Sequence, residues 1–149
     1  MLGDELRRKV QPYADTSVIQ QRQEEETKRR AVKDHVDFCM SWIMYFFESA
    51  SPEELYEGKM YVSINYDGKE PLTMSFFKCF QEPIYDNALI FKKVIRYESR
   101  VKMVNQATYN KVPYPSKFSA AISHAAEEEG LKVSHSYDNP IISFRYQYE

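Results

Sequence analysis

A chain of 149 residues with 20 Lys and Arg against 22 Asp and Glu has the length of one domain and can bury a core without disulfides or metal. Its net charge of −2 supplies no global pull toward nucleic acid or acidic lipid. Cys39 and Cys79, the two cysteines, do not make a disulfide framework, and no charged start, apolar run and cleavage site opens the chain, so a reducing, cytoplasmic setting is expected.

Residues Met1 to Ala14 carry the charged run Asp4–Lys9 and then Gln11-Pro12-Tyr13, and read as a flexible tail of a single domain spanning 1–149. Asp15, Thr16 and Ser17 each offer a side-chain oxygen to the free amides of a first helical turn, which predicts a long helix over 15–49. From Val18 to Ser49 there is neither Gly nor Pro. Its first half, Gln20 to Arg30, is almost wholly polar and built of strong helix formers. Glu24 precedes Lys28, Glu25 precedes Arg29 and Glu26 precedes Arg30 in the favoured acid-first i, i+4 order, about 0.2 to 0.5 kcal/mol per pair in an isolated helix.

The second half is amphipathic. Val32, Val36, Cys39, Ile43 and Phe46 recur at steps of four and three, widened by Met40, Met44 and Phe47, so this half is buried and the polar half projects or pairs with another chain. The apolar stretch Val36 to Phe47 is broken by Asp37 and Ser41 and reaches only about 18 Å as a helix, short of a ~30 Å bilayer core. No membrane partner is expected.

Ser51-Pro52-Glu53-Glu54 is a capping box with Pro at the first helical position, and Gly58 is placed to end that short helix. Lys59–Tyr66 alternates, Asp67-Gly68 signals a hairpin, and Leu72, Met74 and Phe76 line one face of the returning strand. After Glu82-Pro83, Asp86 or Asn87 caps a third helix in which Ile90, Val94, Tyr97, Val101 and Val104 or Asn105 mark one face, with strand as the alternative because of its β-branched residues. Pro113-Tyr114-Pro115 breaks the chain. Ser116 then caps a helix burying Phe118, Ala121, Ile122 and Ala125, with Gly130 closing it. Leu131–Tyr137 and Ile141–Tyr148 form a final hairpin. The expected fold is α+β in the order ααββααββ, with an antiparallel sheet of about four strands built from two hairpins.

Chemistry-bearing patterns are sparse. His35 and Cys39 stand at i, i+4, with Cys79, His124 and His135 elsewhere, but without CxxC or HExxH no metal is expected. Cys39 falls on the apolar stripe, where a thiol behaves as a small hydrophobe. Ser123-His124 and Ser134-His135-Ser136 place hydroxyl and imidazole side by side rather than aimed at one another, and no GxSxG elbow or Gly-rich phosphate cradle is present. Neither a catalytic residue nor a cofactor is expected, although distant carboxylates can converge in a fold.

The sharpest local feature is basic. On a helix, Lys92, Arg96 and Arg100 would form one cationic stripe, with Lys93 and Lys102 alongside and Glu98 as the one acid nearby. The bland reading is a solvated face; the functional ones are contact with phosphates or with an acidic protein. Helix, break, helix and hairpin from Asn87 onward is also the element order of a winged helix, but Glu127-Glu128-Glu129 would repel phosphate from its recognition helix.

By elimination the expected function is a non-enzymatic protein-interaction module, self-associating through its long helix. Partner-binding candidates are Lys92, Lys93, Arg96 and Arg100, Arg22 and Arg29 on the polar half-helix, and Tyr146 and Tyr148 on the last strand, where aromatic side chains serve as core or as an exposed edge. Nucleic-acid binding through the basic helix is the alternative. A glycine-poor, aromatic-rich chain of this kind suits a small viral or phage accessory or inhibitory protein.

Overall fold

The computed structural model describes the backbone of residues 2–86 and 92–147, and the side chains of 17–86 and 92–147. Its elements in chain order are α1 (Leu2–Glu48), α2 (Pro52–Tyr56), β1 (Met60–Asn65), β2 (Leu72–Asp86), β3 (Lys93–Tyr109), α3 (Pro115–Glu128), β4 (Leu131–His135) and β5 (Ile141–Tyr146). The fold is α+β with a long N-terminal helix and one antiparallel sheet of five strands, ordered β3-β2-β1-β5-β4.

At 47 residues, α1 is about 70 Å long. It runs through Pro12 and through Asp15, Thr16 and Ser17, so those three do not cap it, and residues 2–14 are helical as well. Leu6 to Lys9 are helix formers. Val32, Cys39, Ile43, Phe46 and Phe47 are buried, as the apolar stripe predicts. Burial pushes the Cys39 thiol up to about 12.

The short helix α2 carries the reciprocal capping box of Ser51 and Glu54, with Pro52 in its first turn. A lysine from the sheet reinforces it: Lys78 Nζ lies 3.2 Å from the Glu54 carboxylate. At α3 the predicted cap is corrected. Tyr114 is the cap, Pro115 occupies the first turn, Ser116 lies inside the helix, and no side chain bonds the free amides, because the fixed φ of Pro115 itself starts the helix. Phe118, Ile122 and Ala126 are its buried residues.

Met60, Val62 and Ile64 of β1, Leu72, Met74 and Phe76 of β2, Leu131 of β4, and Ile142 and Phe144 of β5 form one core with the buried residues of α1 and α3. Each strand contributes alternate residues, so one sheet face carries the helices and the other is open. In the β1–β2 turn Asp67 accepts amide bonds from Lys69 and Glu70 at 2.8 and 3.1 Å. Gly68 there has φ 81°, and an added Cβ would sit 2.8 Å from the Pro115 ring.

The main departure from expectation is the third helix. Residues 93–109 are strand β3, paired with β2 from Leu72↔Tyr109 to Asp86↔Lys93. The order is therefore ααβββαββ, and the helix-break-helix order of a winged helix is absent. Val94, Ile95, Val101 and Val104 favour extended backbone, and the long β2 supplies the pairing surface that local sequence cannot reveal. The predicted cap at Asn87 and core position at Ile90 lie outside the described residues.

Candidate functional site

The last residue of β2 to pair with β1 is Lys78, opposite Met60. Beyond it, Phe80–Asp86 pairs with β3 alone and extends as a two-stranded arm for about 23 Å. Isolated two-stranded ribbons are marginal in water. This one also exposes apolar side chains: Ile95 and Tyr97 are more than half exposed, and Phe80 and Tyr85 are also exposed; just below the arm on β3, Val101 and Met103 are more than half exposed and Val104 is exposed too.

The two edges of the arm differ. Pro83 lies on β2, opposite Tyr97, where its missing amide removes a donor from the free edge. No proline interrupts Lys93–Tyr109, and β3 pairs with no strand but β2 among the described residues. Register shifts between Phe76 and Phe77 and between Ile84 and Tyr85 leave Val104 and Ile95 as bulged residues. Between them Arg96–Met103 pairs regularly. The opposite sheet edge, β4, has only five residues, and shortness is itself protection against stray pairing.

Arg96 and Arg100 of β3 fall on this arm and Lys102 just below it, with acids interleaved. On its helix-side face the Arg100 guanidinium lies 3.5 Å from Glu82 and 3.4 Å from Glu98, Arg96 bonds Glu98 at 2.9 Å, and Lys102 pairs with Glu82. The hydrogen bond from Lys102, aided by the charge of Arg100, holds the Glu82 carboxyl below the usual range. Arg96 and Arg100 are thus ion-paired across and along the strands, not displayed as a helical cationic stripe. Lys92 and Lys93 are exposed at the start of β3, Lys93 opposite Asp86.

The remaining candidates disperse. Arg22 is exposed on α1, and Arg29 pairs with Glu26 at 3.5 Å. Of the three predicted helix pairs, Glu26–Arg30 forms at 3.3 Å. Glu25 instead bonds Lys117 of α3, and Lys28 sits 5.9 Å from the Tyr114 ring centre, so the polar half of α1 is tied to α3 before it projects. Phe144 is buried and Tyr146 is 37 % exposed. Their strand β5 lies between β1 and β4, so it is an interior strand rather than an exposed edge; Tyr148 lies outside the described residues.

Two features were not foreseen. Where α1 meets the base of the arm, Trp42, Tyr45, Phe46, Phe76, Phe80 and Val104 line a groove of about 290 Å³ with Lys78 at its rim. Its aromatic content comes from residues far apart in sequence, although Trp42 and Tyr45 fall beside the apolar stripe. On the open sheet face, Lys132, Arg145, Tyr61, Phe77 and Met103 stand in one row across the five strands. Tyr61 stacks on Phe77 with ring centres 4.7 Å apart, and Arg145 lies 5.1 Å above Tyr61. No Asp or Glu occupies this face of the described strands.

His35 is buried and bonded to backbone carbonyls, and no group of three or more His, Cys, Asp or Glu side chains converges among the described residues. Ser123 Oγ lies 3.3 Å from His135 Nε2 but donates its proton to the Ser119 carbonyl at 2.7 Å. No helix among the described residues is long and apolar enough to cross a membrane. No protein-family model, curated protein or solved structure matches this chain.

Proposed function

We propose that this chain is a non-enzymatic protein-interaction module that captures another polypeptide along β3. One observation carries this reading: β3 leaves a proline-free edge unpaired among the described residues, exposing Tyr97 on the arm with Val101 and Met103 just below it. Unpaired amides and carbonyls on a regular strand are a template for strand addition, with affinity from the main chain and selectivity from alternate side chains. The aromatic groove at the base of the arm adds an anchoring site of the kind that dominates interface energetics. The outer part of α1, where Val18 and Ile19 are exposed, is a second contact surface under this reading.

A photo-crosslinking amino acid placed at position 99, on β3, and at position 134, on the short edge β4, tests the proposal in cells producing the protein. Protein adducts are expected from position 99 and not from 134. Absence of adducts from 99 and from every other position along β3 would overturn it.

Nucleic-acid binding stands as a second reading, moved from the basic segment to the open sheet face, whose acid-free surface holds Arg145 and Lys132 beside two aromatics. It predicts salt-sensitive binding of a single-stranded oligonucleotide. Unchanged binding after replacing both cations by Ala would remove it.

A further inference from the structure

We propose that the occupant of the β3 edge is the β3 edge of a second copy, paired antiparallel about a two-fold axis at Ser99. This rests on β3 being the binding edge and adds the identity of the partner.

A two-fold axis normal to the sheet keeps its faces, so helix-side residues oppose helix-side residues and the two five-stranded sheets join into one continuous sheet with all helices on the same side. The regular segment Arg96–Met103, bounded by the bulged Ile95 and Val104, limits which residue lies on the axis. With Glu98 there, Glu98 meets the partner's Glu98 and Arg96 meets the partner's Arg100. With Arg100 there, two guanidinium groups meet. Like charges directly opposite are destabilising.

With Ser99 on the axis, Glu98 meets the partner's Arg100 and Arg100 meets the partner's Glu98. Tyr97 meets the partner's Val101 on the open face, an aromatic and β-branched pair of the stabilising kind. Arg96 does meet the partner's Lys102. Each already holds a carboxylate of its own protomer, Glu98 for Arg96 and Glu82 for Lys102, so two ion pairs meet there rather than two bare charges. A register centred on Tyr97 also matches Arg96 with the partner's Glu98, but it pushes the pairing past the Ile95 bulge on both sides. The Ser99 register alone keeps every facing pair from Arg96 to Lys102 inside the regular run.

Facing residues on antiparallel strands lie roughly 4.5 to 5.5 Å apart at Cα, inside the range that a disulfide spans. Ser99→Cys, made together with Cys79→Ser, therefore tests the axis directly; Cys39 is buried and stays in place. Mild oxidation is expected to convert most of this variant to a covalent dimer, and Gln106→Cys in the same background to none. Light scattering of the unsubstituted protein is expected to show the mass doubling with concentration. Val101→Lys should weaken association at least ~tenfold by setting a charge against the partner's Tyr97, with circular dichroism reporting that the variant is folded.

A protein that stays monomeric to about 0.5 mM, where even a millimolar dissociation constant leaves dimer detectable, and whose Ser99→Cys variant forms no crosslink, overturns the proposal. So does a dimer that ignores Val101→Lys or crosslinks equally through position 106. Position-99 adducts to other proteins in cells, with a monomeric purified protein, would overturn the self-pairing and leave the interaction module standing.

Discussion

His35 on α1 donates its Nε2 proton to the backbone carbonyl of Asn110 at 3.0 Å, across a sequence separation of 75 residues. The Lys111 carbonyl shares that proton at 3.0 Å, and the imidazole meets Tyr109 edge-on with ring centres 4.9 Å apart. One helix side chain thus fastens the chain as it leaves β3. His35→Phe keeps a ring against Tyr109 and deletes the donor. It should lower unfolding stability by about 1 to 2 kcal/mol, the worth of one part-buried hydrogen bond with its desolvated acceptors, measured by chemical denaturation.

Phe76 joins the sheet to the C-terminal turns of α1. Its ring lies 5.0 Å from Phe46 and 6.0 Å from Trp42, and it is 1 % exposed. Phe76→Ala should cost roughly 3 to 5 kcal/mol. Trp42 is the one tryptophan of the chain, so the opened space should also shift its fluorescence to the red in the folded state, a change that loss of stability alone does not produce.

Glu82 links the arm to pH. Its carboxyl is held low by the Lys102 hydrogen bond and by Arg100, against a weaker opposing desolvation. A depressed carboxylate contributes stability that is fully present above its unfolded value and lost as the pH falls through the lower folded one. Amide exchange at Arg100 and Lys102 should therefore hold steady from neutral pH down to the ordinary glutamate value of 4.5 and accelerate below it, after correction for intrinsic exchange. Glu82→Gln should flatten that acid-induced step.

Pro83 guards the second edge of the arm. Pro83→Val restores an amide donor and a β-branched side chain there, making both edges competent for pairing. The variant is expected to form species larger than the wild-type assembly in sedimentation velocity, and wild-type behaviour would show that Pro83 plays no guarding part.

Much of the fold is legible in the residues. The Val32 to Phe47 stripe, the Ser51 capping box, the alternation of Leu72, Met74 and Phe76 and the closing glycine at 130 are local signals, and each lies where its spacing indicates. Residues 93–104 carry two periods at once. Val94, Tyr97, Val101 and Val104 match a helix, while Arg96, Glu98, Arg100 and Lys102 alternate strictly with Tyr97, Ser99, Val101 and Met103, as a strand does. Pairing with a distant β2 decides for the strand, and carries the basic residues from a helical stripe into ion pairs with Glu82 and Glu98. The binding edge could not be read locally, since an edge exists only once the order of the whole sheet is set.

The placement of β1 has a consequence for how the chain is made. Its neighbours are β2, which follows within a few residues, and β5, whose Arg145 pairs with Tyr61. A nascent chain emerging from the ribosome can zip β1, β2 and β3 together early, yet one flank of β1 waits until β5 has been synthesised. During that interval the flank of β1 and the edge of β3 are both unsatisfied. Partner capture before β5 emerges would thus face two competing edges, and closure by the β4–β5 hairpin removes one of them.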